Sequence, residues 1–160
     1  LSKRFLPVIF TEEQYNIRNL EKLWEHIADH LEEDKDFHGL IDEMESFQKD
    51  EEYESKCFKT IENYLKTNKK KLILFIDNIG DLFKKFKDKE NHRLREVLLT
   101  SSEIRIVGAS SEVLEHTYDY SKPFFDFFTF ARFQYGTSPH VRVLNAATLR
   151  VRQTDTVARR

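Results

Sequence analysis

Two short polar stretches are the places where this chain could do chemistry. Asp77-Asn78 follows the unbroken apolar run Leu72-Ile73-Leu74-Phe75-Ile76, and Ser110-Ser111 follows Ile104-Arg105-Ile106-Val107-Gly108-Ala109. A carboxylate at the end of a buried strand suits a hard cation such as hydrated Mg²⁺. A hydroxyl on the neighbouring strand can reach a phosphate or an attacking water. The other candidates carry less. His26 and His30 stand four apart around Asp29 but complete no HExxH signature, so exposed helix histidines are expected rather than a zinc pair. His38, His92 and His116 have no partner in the sequence. Cys57 sits on an apolar stripe as a small core residue. Arg93 and Arg95 fit an exposed helix face better than an arginine finger toward a neighbouring subunit.

These residues need elements to hold them. Five successive apolar residues at 72–76 predict a central parallel strand buried on both faces, and 104–109 predicts a second. Phe5-Leu6-Pro7-Val8-Ile9-Phe10 reads as a strand too, with Pro7 favouring an edge place. Leu20, Leu23, Trp24, Ile27 and Leu31 form one helical stripe that Asn19 is suited to cap. Tyr53, Cys57, Phe58, Ile61 and Leu65 mark a second helix, ending in Lys69-Lys70-Lys71, where the helix dipole alone explains the lysines. Ile79, Leu82, Phe83 and Phe86 give a third stripe, and Leu94, Val97 and Leu98 a fourth. The acid-rich stretch from Glu32 to Glu54 reads as a loop with a frayed helical piece, and a short helical piece is expected at Val113-Leu114. The aromatic block 124–133 is expected in the core rather than as a platform for stacked bases. Strands alternating with helices in this order predict an α/β layered domain with a parallel sheet. In such sheets ligands sit beyond the carboxyl ends of the strands, where Asp77 and Ser110 lie.

Composition narrows the field. The 160 residues are 39% apolar and carry 14 Phe, enough to fill one core and to exclude wholesale disorder. A single cysteine excludes an internal disulfide framework and fits a reducing, cytoplasmic setting. No apolar run approaches a membrane span. Charge is uneven: residues 131–160 hold six Arg, no Lys and one acid, a balance of +5 that leaves −7 for residues 1–130. Residues 134–160 therefore read as a basic extension, either an arm that touches phosphate or an acidic partner, or a tail of different origin. The acidic balance elsewhere argues against nucleic acid as the main partner.

The strand Leu72–Asn78 resembles a Walker B strand of a P-loop ATPase, and Ile104–Ser111 is similar to the sensor 1 strand that follows it. Phe5–Tyr15 resembles the segment after the first helix in bacterial AAA+/STAND-type ATPases related to the origin-recognition group. Tyr118–Phe128 is similar to their stretch beyond sensor 1. The likeness spans residues 5–133. It implies a three-layer P-loop NTPase-like sheet flanked by helices, incomplete because no Gly-x-x-x-x-Gly-Lys-Ser/Thr occurs in the chain. The resemblance places the P-loop and its strand upstream of Leu1, and the first residue, Leu rather than Met, suggests a longer reading frame. It further implies ATP and Mg²⁺ as cofactors of the intact protein, Asp77 as the metal-coordinating acid, and Ser111 as sensor 1, with Ser110 under a one-residue shift. Asn78 stands where many relatives carry the Glu that activates water; Asn can hydrogen-bond a water but cannot take its proton. Nucleotide state would drive a conformational switch or assembly with a protein partner or further copies of itself. The rival reading is a non-enzymatic α/β interaction module, a degenerate ATPase.

Overall fold

The computed structural model of the chain describes residues 4–11, 17–110 and 119–128, together with the backbone of Ala146–Ala147. The sequence-predicted elements at Val113-Leu114 and 129–133, and the basic extension 134–160 apart from that backbone pair, lie outside the described residues. The elements run β1 (Phe5–Phe10), α1 (Leu20–Glu32), α2 (Leu40–Glu45), α3 (Tyr53–Thr67), β2 (Lys71–Ile76), α4 (Ile79–Lys85), α5 (Asp88–Thr100), β3 (Ile104–Ala109) and β4 (Ala146–Ala147), with a single 3₁₀ turn at Lys35–Phe37.

The sheet has the order β1-β2-β3-β4. The first three strands are parallel, with Phe10 level with Ile76 and Ile76 level with Gly108; Ala147 and Ala146 pair antiparallel with Gly108 and Ala109. β1 takes the edge that Pro7 favours, since an edge strand need not donate from every N–H. Strands and helices alternate with right spacing for a parallel α/β layer, and helices flank the sheet.

The side-chain pattern departs from the sequence reading in one respect. β2 is not buried on both faces. Leu72, Leu74 and Ile76 are buried with Val8, Phe10, Ile104 and Ile106, while Phe75, Ile9 and Phe5 of the alternate set are 37%, 58% and 53% exposed. The apolar run was a true strand signal, but period-two alternation puts half of it on a face that the described helices leave open.

The covered face packs against a helical layer. α1 is fixed at its start by Asn19, whose Oδ1 accepts from Lys22 N at 2.9 Å, and buries Leu20, Leu23, Trp24, Ile27 and Leu31. Glu90 ties two helices together: its Oε1 accepts from Leu20 N at 3.0 Å and its Oε2 from Lys87 N at 2.9 Å, so one carboxylate serves the orphan N–H groups of α1 and α5. Glu54 does similar work, accepting from Trp24 Nε1 at 2.8 Å and Arg93 Nε at 3.2 Å. Arg93 also lies over the Phe58 ring, and Arg95 donates to Pro123 O and covers Phe127. These arginines are tethers between elements, not solvated charges on a helix face.

The acid-rich stretch is more ordered than its composition suggested. Glu32 reaches forward so that its two oxygens accept from Gly39 N at 2.7 Å and Ile41 N at 3.2 Å, capping α2, whose own first residue offers no side-chain cap. Burial pushes the Glu32 carboxyl up, but the N–H groups of Gly39, Ile41 and Leu40 outweigh it and hold its pKa below the ordinary value. Lys70 does not extend into water from the end of α3. It is 4% exposed, donates to Asp34 at 2.6 Å, pairs with Asp36 at 2.8 Å and lies over the Phe37 ring. Of the described aromatics in the 124–133 block, Phe124, Phe127 and Phe128 are core as expected, with Phe124 stacked on Phe83 at 4.3 Å between centroids, whereas Phe125 is 42% exposed.

Candidate functional site

The two polar stretches singled out from the sequence both begin at the carboxyl rim of the sheet. Because Ile76 is level with Gly108, Asp77 emerges one residue beyond that level on β2, and Ser110 two residues beyond it on β3. Asp77 is exposed, whereas Ser110 is 6% exposed. Asp77 is positioned from both sides of its backbone. Its N–H donates to Phe10 O at 3.0 Å, carrying the β1–β2 ladder one step further, and its Oδ1 accepts from Asn78 N at 3.0 Å. Ser111, the other half of the serine pair, lies outside the described residues.

Asn78 is the hinge between strand and helix. It holds φ 48° and ψ 47°, the left-handed region in which Asn is several-fold enriched over most residues with a side chain. That conformation turns the chain from β2 directly into α4. Its Nδ2 donates to Asp81 Oδ2 at 2.9 Å, and Lys84 Nζ stands 3.5 Å from Asp81 Oδ1. One of the two amide N–H groups is thus engaged, and Oδ1 is the atom that could accept from a water. Asp81 was not singled out from the sequence; the only signal was its place three residues after Asn78. The N-cap of α4 is Asn78, without a side-chain cap bond.

Gly108 fits helix to sheet just beneath this rim. A Cβ there would lie 2.8 Å from Ile79 Cδ1 and Cγ2 and 2.9 Å from its Cβ. Only glycine lets the start of α4 sit so close to β3.

A nucleotide with Mg²⁺ can be tested against these residues. An exposed carboxylate at the rim has the right chemistry for one oxygen of a hydrated Mg²⁺. The phosphate side has no match among the described residues: no glycine-rich loop lies at the rim, and the four glycines of the whole chain stand at 39, 80, 108 and 136. No cluster of three or more His, Cys, Asp or Glu suited to a metal occurs among the described residues. His26 and His30 form no pair of ring ligands: His30 Nδ1 lies 2.8 Å from the backbone carbonyl of His26, and the His30 ring is edge-on to Phe10.

Away from the rim, a hollow of about 150 Å³ opens between α1 and α2, lined by Glu25, Ala28, Asp29, Ile41, Met44 and Tyr53 among others. The Tyr53 hydroxyl donates to Glu25 Oε1 at 3.2 Å. Burial, with Cys57 and Glu25 beside it, pushes the Tyr53 hydroxyl well above the ordinary range. Burial likewise pushes the Cys57 thiol up to about 11. Neither group is poised to ionise near neutrality.

No protein-family model, curated protein or solved structure matches the chain. No helix among the described residues is long and apolar enough to cross a membrane.

Proposed function

We propose that the chain carries the Walker B and sensor 1 half of an AAA+/STAND-like P-loop ATPase, binding ATP·Mg²⁺ in the intact protein. One observation carries the reading. A parallel strand carries Asp77 to the carboxyl rim, and the adjoining strand ends at the same rim, one register step further on, at Ser110. In this reading Asp77 holds the metal, which would neutralise phosphate charge when bound. Ser110 or Ser111 faces the terminal phosphate. Asn78 orients a water through Oδ1 without taking its proton, so turnover is slow and nucleotide state acts as a switch for assembly with a partner or further copies.

The test is calorimetric titration with ATP, with and without Mg²⁺, on the reading frame extended upstream to include any Gly-x-x-x-x-Gly-Lys-Ser/Thr segment. Asp77→Ala should abolish the Mg²⁺-dependent part of binding while leaving the circular dichroism spectrum of the fold in place. Unchanged affinity in Asp77→Ala removes the assignment. Asn78→Glu should raise hydrolysis; a rate no faster than the parent counts against the water-orienting role.

A second reading, the non-enzymatic interaction module, is favoured by a different observation: Phe5, Ile9 and Phe75 lie exposed on one face of the sheet.

A further inference from the structure

The helical layer is strongly acidic in one stretch. From Glu21 to Glu54 the chain carries fourteen acids against three lysines, a balance of −11. The hollow between α1 and α2 opens within that stretch, and its lining divides by chemistry. Ala28 and Met44, both buried, and the half-buried Ile41 give it an apolar floor. Glu25, Asp29 and Glu45 stand around that floor. Glu25 is already engaged, by Lys22 and by the Tyr53 hydroxyl. Asp29 and Glu45 are exposed, and neither forms an ion pair with another described residue.

Shape and charge together restrict what fits. The carboxylates do not converge on one point, since no acid cluster among the described residues is suited to a metal ion. They suit a cation that is broad and carries an apolar stem. An arginine side chain has both: methylenes to lie over Ala28 and Met44, and a planar guanidinium whose five donors can meet carboxylates set apart. A cavity of about 150 Å³ admits a group about the size of benzene, which is room for a guanidinium and part of its stem.

The chain supplies such side chains itself. Residues 148–160 hold four arginines, at 150, 152, 159 and 160, against one acid, Asp155. They follow directly on Ala147, which is level with Gly108 of β3. Thirteen residues span up to about 45 Å when extended. A domain of about 130 residues has a radius of gyration near 14 Å, so the segment is long enough to reach the hollow from that anchor. Exposed ion pairs are weak on their own. A tether offsets this, because it holds the partner at an effective concentration in about the millimolar range.

We propose that the hollow between α1 and α2 is the docking site for the chain's own segment 148–160, one arginine stem lying on Ala28, Ile41 and Met44 and its guanidinium meeting Asp29 and Glu45. This goes beyond the nucleotide reading and does not depend on it.

The test places a nitroxide on Thr156→Cys in the full chain and reads nuclear magnetic resonance signals of the backbone amides. Cys57 stays unlabelled because it is fully buried. The amides of Ala28, Ile41 and Met44 should lose at least half their intensity at about 0.01 M salt, where charges reach about 30 Å. They should recover at about 1 M, where the reach is about 3 Å. Asp29→Lys with Glu45→Lys, both at exposed positions, should abolish the loss with an unchanged circular dichroism spectrum. Replacing the four arginines together, Arg150→Gln, Arg152→Gln, Arg159→Gln and Arg160→Gln, should abolish it without touching the hollow. Undiminished signals at the three amides in the parent chain overturn the proposal, as does a loss that survives high salt or either set of substitutions. So does an equal loss when the spin-labelled chain, without nitrogen-15, is mixed with an unlabelled nitrogen-15 chain, since the segment would then dock on a second copy.

Discussion

Gly108→Ala tests how tightly the rim is built. The added methyl would sit 2.8 Å from Ile79 Cδ1 and Cγ2 and 2.9 Å from Ile79 Cβ, all well inside contact distance. Ile79 is fully buried at the start of α4, so it cannot swing out of the way. Inserting a methyl into such a site costs about 1–3 kcal/mol. Against that stands the gain of about 0.5–1 kcal/mol from replacing a strand glycine by alanine. The net expectation is a loss of about 1–2 kcal/mol, or a Tm lower by roughly 2–8 °C for a chain of this size. Urea and thermal unfolding followed by circular dichroism read it directly. Ile79→Val removes Cδ1, one of the three close atoms, so the cost of Gly108→Ala should fall by at least about 0.5 kcal/mol in that background. Stability at or above wild type, or the same cost in both backgrounds, would refute the close-packing argument.

Other outcomes follow from the same structure. Lys70→Ala leaves Asp34 and Asp36 facing each other without their cation. Loss of one partner of a buried pair costs about 3–5 kcal/mol, but these acids are 36% and 37% exposed, so about 1–2 kcal/mol is expected in urea unfolding. The hydrogen bond from Lys70, then that from Asp36 N–H, hold the Asp34 carboxyl below its usual pKa, and Glu32 is held low by its backbone donors against burial. Folded pKa values below the unfolded ones mean stability that is present at neutral pH and lost as pH falls through the folded values. Unfolding free energy should therefore hold steady from neutral pH and decline below about pH 4, with a shallower decline in Lys70→Ala; a Lys70→Ala profile parallel to wild type would contradict the pairing. Glu32→Gln keeps one acceptor for the two donors of α2 and should cost about 1 kcal/mol. Cys57, with its thiol pushed up to about 11 and fully buried, should resist Ellman's reagent at pH 8 in the folded chain and react at once in denaturant; rapid reaction without denaturant would refute the burial.

Much of this architecture was legible before any coordinates. Hydrophobic spacing located α1, α3, α4 and α5 and the three parallel strands, because a stripe at helical period or an unbroken apolar run has few other stable uses. Pro7 gave the edge place of β1, and Asn19 the start of α1. Local chemistry also put Asp77 and Ser110 at strand ends, where a parallel sheet collects its ligands.

Long-range contacts decided the rest. The Lys69–Lys71 cluster looked like a solvated helix end, yet Lys70 turns inward because Asp34 and Asp36, more than thirty residues earlier, receive its ammonium group over the Phe37 ring. Arg93 and Arg95 looked exposed, and the carboxylate of Glu54 and the carbonyl of Pro123 claimed them. The acid-rich stretch showed no period, since α2 is held by a carboxylate from α1 rather than by its own cap. What the residue order settled was which segments are strand or helix and which side chains stand at the sheet's rim, for these depend on neighbours a few positions apart. Which face of the sheet is covered, and which charges are tied, depends on packing between segments distant in the chain; only the folded structure brings those segments together.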